Sequence, residues 1–316
     1  MNIAFKGRFM NNYCKQFFLI YLLGMAVLFS AGANAVQDTS SASADPKNAT
    51  YSGIYDHTIT LREGRWVGEP FIAGGASRPT AGLVEDFCLT GDLNGDGATE
   101  HVVVLWENSG GTGTQNYLAV MSLHQDRLVN LSTTLIGDRV QLQAGRINNG
   151  KIELDVIQHR PDEPYCCPSQ KATRIWSLEG NELIQEKTLL KGKLTLADLE
   201  GVEWVLFSIK REETLPDKPK VTLRFDGEKI VGKGACNRYF ADIRESGEIA
   251  GGISINHIGS TKMACPEEAM NLERRYFEAL EGVGKFSFLG GKLALDWKKD
   301  ETVSVMLFVY RKLQAQ

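Results

Sequence analysis

The sequence predicts a mainly β chain in two parts: an N-terminal antiparallel β domain, then an α+β unit in which one helix packs on an antiparallel sheet. Three observations carry this. Short segments rich in Val, Ile, Leu and aromatic residues recur through the chain, separated by Gly- and Asn-containing turn signals. Only one segment places its apolar residues at helical spacing. No internal repeat or propeller-like period relates the halves, so they are read as separate domains.

Residues 1–35 read as a secretory signal. Lys6, Arg8 and Lys15 form a basic start, Phe17–Phe29 is an uncharged apolar run, and Ala33-Asn34-Ala35 supplies a small-x-small cleavage site. An uncleaved anchor is the rival reading, because the apolar run approaches bilayer-spanning length. Gly24, Gly32 and the cleavage site favour removal. No cysteine follows the run, since Cys14 precedes it, so no lipid anchor is expected. No other segment is apolar enough to span a membrane. The expected location is the periplasm or the exterior of a bacterium.

Cleavage removes three cations and no anion, taking the net charge from −4 to −7. That acidity argues against nucleic acid as a partner, since phosphate is met by a basic patch. Residues 36–50, rich in Ser, Ala, Thr and Asp without apolar periodicity, are expected to be a disordered linker.

The first domain spans residues 51–190. Its strand candidates are "HVVVLWE", "NYLAVMSL", "KIELDVIQH" and "ATRIWSL", with turns at "NNG" and "EGN". "NSGGTGTQN" lacks the Lys-Ser/Thr ending of a phosphate loop and the helix that should follow one, so it reads as a hairpin loop. The acidic stretch "GDLNGDGATE" is more suggestive. Counted as a calcium loop, Asp92, Asn94 and Asp96 occupy positions 1, 3 and 5, the Ala98 carbonyl position 7 and Glu100 position 9. Position 12 is Val103, inside an apolar run, and no helix flanks the loop, so it is not an EF-hand. Weak calcium binding is the one cofactor the pattern allows. The competing reading is a tight turn whose carboxylates cap backbone N–H groups, with Asn94-Gly95 and Asp96-Gly97 suited to left-handed backbone.

Five cysteines follow the signal: Cys88, Cys166, Cys167, Cys236 and Cys265. Export makes disulfides the default, and the odd number leaves one thiol free or paired outside the chain. Adjacent cysteines bridge each other only with distorted geometry, so Cys88 is expected to pair with Cys166 or Cys167. A soft-metal site of these three thiols with His159 is the weaker alternative. No nucleophile elbow, His-Glu-x-x-His or paired-carboxylate arrangement emerges, and no catalytic residue is assigned.

The second domain spans residues 196–313. Strand candidates are "VEWVLFSIK", "KVTLRF", "NRYFADI", "GISINHI", "KLALDW" and "TVSVMLFVYRK". The helix is "CPEEAMNLERRYFEALEG", with Pro266 at its first position and Glu267 and Glu268 facing the positive end of the dipole. Met270, Tyr276, Phe277 and Leu280, with Ala269 and Leu272, make its apolar face, and Gly282 its C-cap.

"EWVLFSI" with Trp204, "GKGACNRYFADI" with Cys236, Asn237, Arg238 and Tyr239, and "IGSTKMACP" with Thr261, Lys262, Met263, Cys265 and Pro266 resemble the META domain of HslJ-like bacterial envelope proteins. The resemblance implies an α+β fold, association with envelope stress and antibiotic tolerance, and no established reaction. It also implies that Cys236 meets Cys265, a bridge worth roughly 3–4 kcal/mol if unstrained. A redox or nucleophilic pair is disfavoured, because no Cys-x-x-Cys is present and His257 is this domain's only histidine. Within the motif, Asn237 is expected to satisfy a turn and Tyr239 to pack with its hydroxyl bonded. The binding alternative sets Arg238 and Lys262 beside a small site for an anionic group.

In the first domain, "GDLNGDGATEHVVVLWENSGGTGTQNYLAVMSL", "LIGDRVQL" and "DEPYCCPSQ" resemble the LppP/LprE-type exported domain, which implies a place in the cell envelope. The combined expectation is an exported, non-enzymatic envelope protein with a structural, stress-related or interaction role, whose partner is an envelope protein or a small ligand. The alternative is a calcium- or small-ligand-binding module using Asp92–Glu100.

Overall fold

The computed structural model describes residues 44–311 except positions 86, 112, 162, 164–167, 211, 212, 217, 248 and 290. The signal-like segment and the Cys166–Cys167 pair lie outside the described residues.

The first part is built of strands. β1 (Thr50–Tyr51) and β2 (Ile59–Thr60) form a small ribbon. β3 (Arg65–Val67), β4 (Thr80–Leu83), β5 (Leu89–Gly91), β6 (Glu100–Asn108), β7 (Gln115–His124) and β8 (Arg127–Asp138) make an antiparallel sheet of order β3-β4-β6-β7-β8, with β5 also on β6. β9 (Gln141–Asn148), β10 (Lys151–Gln158), β11 (Gln170–Glu179) and β12 (Glu182–Lys193) form a four-stranded meander. Val102, Val104, Leu118 and Val120 of the larger sheet share a core with Ile152, Leu154, Val156 and Trp176 of the meander. The opposite face of the larger sheet buries Val103, Leu105, Ala119 and Met121 against Tyr51, Ile59 and Leu61. β6 therefore has a core on each side, which is why "HVVVLW" runs apolar without alternation.

Two expectations need correction here. Residues 44–50 are ordered: Asp45 accepts the Lys47 N–H, Ala49 is buried and Thr50 pairs with Thr60. The Asp45-Pro46 start fixes that turn despite the polar composition around it. At the other end, the first part runs past the expected boundary at residue 190, because β12 pairs with β11 as far as Lys193 opposite Gln170.

The second part begins with a 3-10 turn, Leu196–Leu199. It continues through β13 (Glu203–Ser208), β14 (Thr222–Asp226), β15 (Lys229–Lys233), β16 (Arg238–Glu245), β17 (Ile253–Ser260), α1 (Glu267–Glu281), β18 (Val283–Leu289), β19 (Lys292–Lys299) and β20 (Thr302–Arg311). These strands form one antiparallel sheet of order β17-β16-β15-β14-β13-β20-β19-β18. It curls until its edges touch: Gly252 bridges Lys285, and the Phe286 N–H donates to the Gly251 carbonyl at 2.8 Å. Gly251 has φ +73°, and a Cβ there would lie 2.2 Å from the Phe286 oxygen, so only glycine lets the edges meet. The contact shields both edges from pairing with other chains.

Inside the curl, Trp204, Leu223, Ile230, Tyr239, Phe286, Leu293 and Phe308 pack with Leu272, Tyr276 and Leu280 of α1. Pro266 is the N-cap of α1 rather than its first residue; its carbonyl accepts from Ala269 and Met270. Met270, expected on the apolar face, is 45% exposed, and its place on the buried face is taken by Glu273. Ion pairing and hydrogen bonds join the two parts. Lys171 on β11 holds both Asp198 oxygens at 2.8 Å, and the Leu196 N–H donates to Glu245 at 2.7 Å.

Candidate functional site

The turn between β15 and β16, the segment after β17 and the second turn of α1 converge on Asn237. Its amide nitrogen donates to Glu273 Oε1 at 2.7 Å, and its amide oxygen accepts from Thr261 Oγ1 at 2.8 Å and the Met263 N–H at 2.7 Å. Glu273 Oε2 accepts from the backbone N–H groups of Cys236, at 2.8 Å, and Asn237, at 2.6 Å. Two buried residues thereby satisfy a turn that no strand partner reaches.

Covalent and aromatic contacts surround this knot. Cys236 and Cys265 form a disulfide with Cα atoms 5.9 Å apart. The Tyr239 and Tyr276 hydroxyls lie 2.6 Å apart, and Tyr239 also donates to the Thr222 carbonyl at 3.0 Å. Burial pushes both phenols well above their ordinary range, which keeps them neutral hydrogen-bonding groups. Trp204 is buried in the same core and donates to the Leu199 carbonyl at 3.2 Å.

The motif thus divides. Trp204, Cys236, Asn237, Tyr239 and Cys265 face inward, whereas Arg238, Lys262, Met263 and Pro266 are exposed around them. Thr261, exposed at the surface, still reaches Asn237 through its hydroxyl.

A concave site does exist on the outer face of this sheet, with walls different from those expected. Glu203, Lys218, Pro219, Lys220, Thr222 and Lys233 line a cleft of about 640 Å³. The register places Lys233 opposite Arg238, and the Lys233 N–H donates to Thr222 Oγ1 at 3.2 Å. Arg238 is thus a neighbour of the cleft, and Lys262 is not on its wall.

In the first part, the acidic loop folds onto its own carboxylates. Asp92 accepts from the N–H groups of Gly95 at 2.6 Å and Gly97 at 3.0 Å, Asn94 from Asp96 at 3.0 Å, and Asp96 from Ala98 at 2.7 Å. Gly95 and Gly97 have φ of +82° and +84°, the left-handed backbone the turn requires. Glu100 starts β6, is buried, and accepts the Leu93 N–H at 2.8 Å. Among the described residues, no three His, Cys, Asp or Glu side chains converge as a metal site. Cys88 is disulfide-bonded; its candidate partners lie outside the described residues. The glycine-rich segment links β6 to β7 as a hairpin loop, gathered by Asn108, which donates to the carbonyls of Gly111 and Gly113 at 3.2 and 2.6 Å.

Sequence reasoning missed Glu273, Tyr276's hydroxyl contact and the lysines of the cleft. A signal for Glu273 was present: with Leu272, Tyr276 and Leu280 it stands on the apolar stripe of α1, where an acidic residue needs buried donors.

The META domain family matches residues 197–308, the span of the curled sheet and its helix. An NMR structure of a protein from Burkholderia xenovorans is similar over 37% of this chain and 87% of that one, at 20% identity and a TM-score of 0.29. A comparison with curated proteins returns no match. Residues 197–308, with their paired cysteines and Asn237 knot, are a META domain.

Proposed function

We propose that the chain is an exported, non-enzymatic protein of the cell envelope, in which the META domain serves a structural or stress-related role through interaction with a partner. The observation that carries this reading is the use made of the motif: Asn237, Tyr239 and the cysteine pair hold one turn against α1, together with Glu273. Groups so fully engaged within the fold stabilise it and present no reacting atom. The disulfide supports export, because such bonds persist in oxidising compartments. The secretory pattern of residues 1–35 supports the same location.

Cell fractionation with thiol trapping and N-terminal sequencing tests the reading. A periplasmic chain that begins at Val36, with Cys236 and Cys265 unreactive until reduced, is the expected result. A full-length cytoplasmic chain whose Cys236 and Cys265 react at once would end it.

Weak calcium binding at Asp92–Glu100 is the second reading. It rests on the Asp92 and Asp96 carboxylates, which lie on a turn whose backbone is already fixed before any ion arrives.

A further inference from the structure

Four lysines of this protein meet carboxylates: Lys151 pairs with Glu186, Lys171 with Asp198, Lys191 with Asp155 and Lys299 with Glu278. Lys218, Lys220 and Lys233 do not. All three are exposed, all three line the cleft on the outer face of the META sheet, and none has an ion-pair partner among the described residues. Glu203, the one acidic residue on the wall, already has a partner. Arg238, across the strand pair from Lys233, extends the positive surface and likewise has no carboxylate partner among the described residues.

Cations gathered in one concavity repel one another, and low-dielectric walls focus their field outward. That arrangement sits on a chain whose net charge is −4. We propose that the cleft binds clustered phosphate groups, either as a soluble oligophosphate or as the headgroup of a phosphorylated lipid. Lysine ammonium groups meet phosphate as freely oriented point charges, without the bidentate geometry that arginine imposes on carboxylates. A lone carboxylate would leave most of the positive charge unmatched. The volume of about 640 Å³ exceeds what a single oxyanion fills and falls within the range of small-ligand sites, about 300–1,000 Å³. Thr222, between β13 and β15, places a hydroxyl on the same wall to donate to a phosphate oxygen.

The test uses the purified full chain with two probes: sodium tripolyphosphate by calorimetry, and phosphatidic acid vesicles by co-sedimentation against phosphatidylcholine vesicles. Each lysine is expected to contribute roughly fivefold, from Coulomb attraction at about 4 Å in a water-like dielectric. K218Q/K220Q/K233Q should therefore weaken the responding probe by about 100-fold, while K218R/K220R/K233R keeps it within about threefold. K47Q/K187Q, outside the META domain, should match the parent chain. Circular dichroism confirms that each variant is folded. A response to tripolyphosphate alone identifies a soluble ligand, and a response to vesicles alone a lipid headgroup; both support the proposal. No response to either probe at millimolar concentration, or an equal loss in K47Q/K187Q, overturns it. Because every arm runs in vitro, its failure is distinct from failure of export.

Discussion

Replacing Glu273 by alanine removes the acceptor for three donors at once: the N–H groups of Cys236 and Asn237 and the amide of Asn237. A buried donor left without its partner costs about 1–3 kcal/mol, so three would cost about 3–9 kcal/mol if no water entered, a large share of the roughly 5–15 kcal/mol that holds most domains folded. The vacated volume admits water to some of them, which brings the expected cost to roughly 3–5 kcal/mol. Glu273→Gln should cost less, about 1–3 kcal/mol, because its remaining oxygen can serve the two backbone groups. Its new amide then faces the Asn237 amide, donor against donor. Asn237 cannot turn over to relieve this, since its oxygen is committed to Thr261 and Met263.

Urea unfolding of the full chain, kept oxidised, gives the free energies, and amide hydrogen exchange localises them. The Cys236 and Asn237 amides should lose protection in both variants, more in Glu273→Ala. A double-mutant cycle with Asn237→Ala should show coupling above about 1 kcal/mol, as contacting residues in one network do. A cost below about 1 kcal/mol for Glu273→Ala, with those two amides still protected, would refute the assignment of Glu273 as the acceptor that holds the turn.

Three further outcomes are expected. Replacing Cys236 and Cys265 together by alanine should lower stability by about 2–4 kcal/mol, and reducing the parent chain should reproduce most of that loss; a pair of variants as stable as the oxidised parent would remove the bridge from the account. Millimolar calcium should raise the melting temperature of the full chain, and Asp92→Ala and Asp96→Ala should abolish the rise; Asp92→Ala should also lower the calcium-free baseline, because Gly95 and Gly97 lose their acceptor. An unchanged melting temperature in the parent at millimolar calcium ends the calcium reading. Asp296 has its pKa raised, by burial first and against the opposing pull of Lys285. The folded state therefore holds that proton more tightly than the unfolded chain, so Asp296 lowers stability as pH rises from the usual carboxylate value through the raised one. Asp296→Asn should stabilise the protein at neutral pH and flatten that window; equal stability of the two proteins across it would contradict the burial argument.

The first part was legible where patterning was strong. "HVVVLW" and "NYLAVMSL" announce β6 and β7 because two cores demand apolar residues on both faces. β8, β9 and β12 escaped notice because they lack clean alternation: β8 and β12 turn Val129, Leu135, Leu189 and Leu190 outward, and β9 fully buries only Gln141. β15 was hidden in the same way: "KIVGK" offers one fully buried residue, Ile230, between two lysines. The helix was read correctly in extent, yet Met270 was assigned to the wrong face and Glu273 was passed over. Hydrophobicity ranks methionine above glutamate; only the unpaired N–H groups of a distant turn make glutamate the better buried residue there. The cleft could not be read at all, since Lys218, Lys220 and Lys233 come together only through the pairing of β14 with β15.

The strand order also governs when the META domain can fold. β20 lies between β13 and β19 and pairs the five-strand ribbon that begins at β17 with the β18–β19 hairpin, which otherwise meet only at the Gly251–Gly252 edge contact. A chain emerging N-terminus first can form either piece early, but the sheet between β13 and β19 cannot be completed until Thr302–Arg311 has appeared. Completion of the sheet thus waits for this strand. Until then β13 and β19 each present an unpaired edge, and a chain lacking this one strand is left with its sheet open between them.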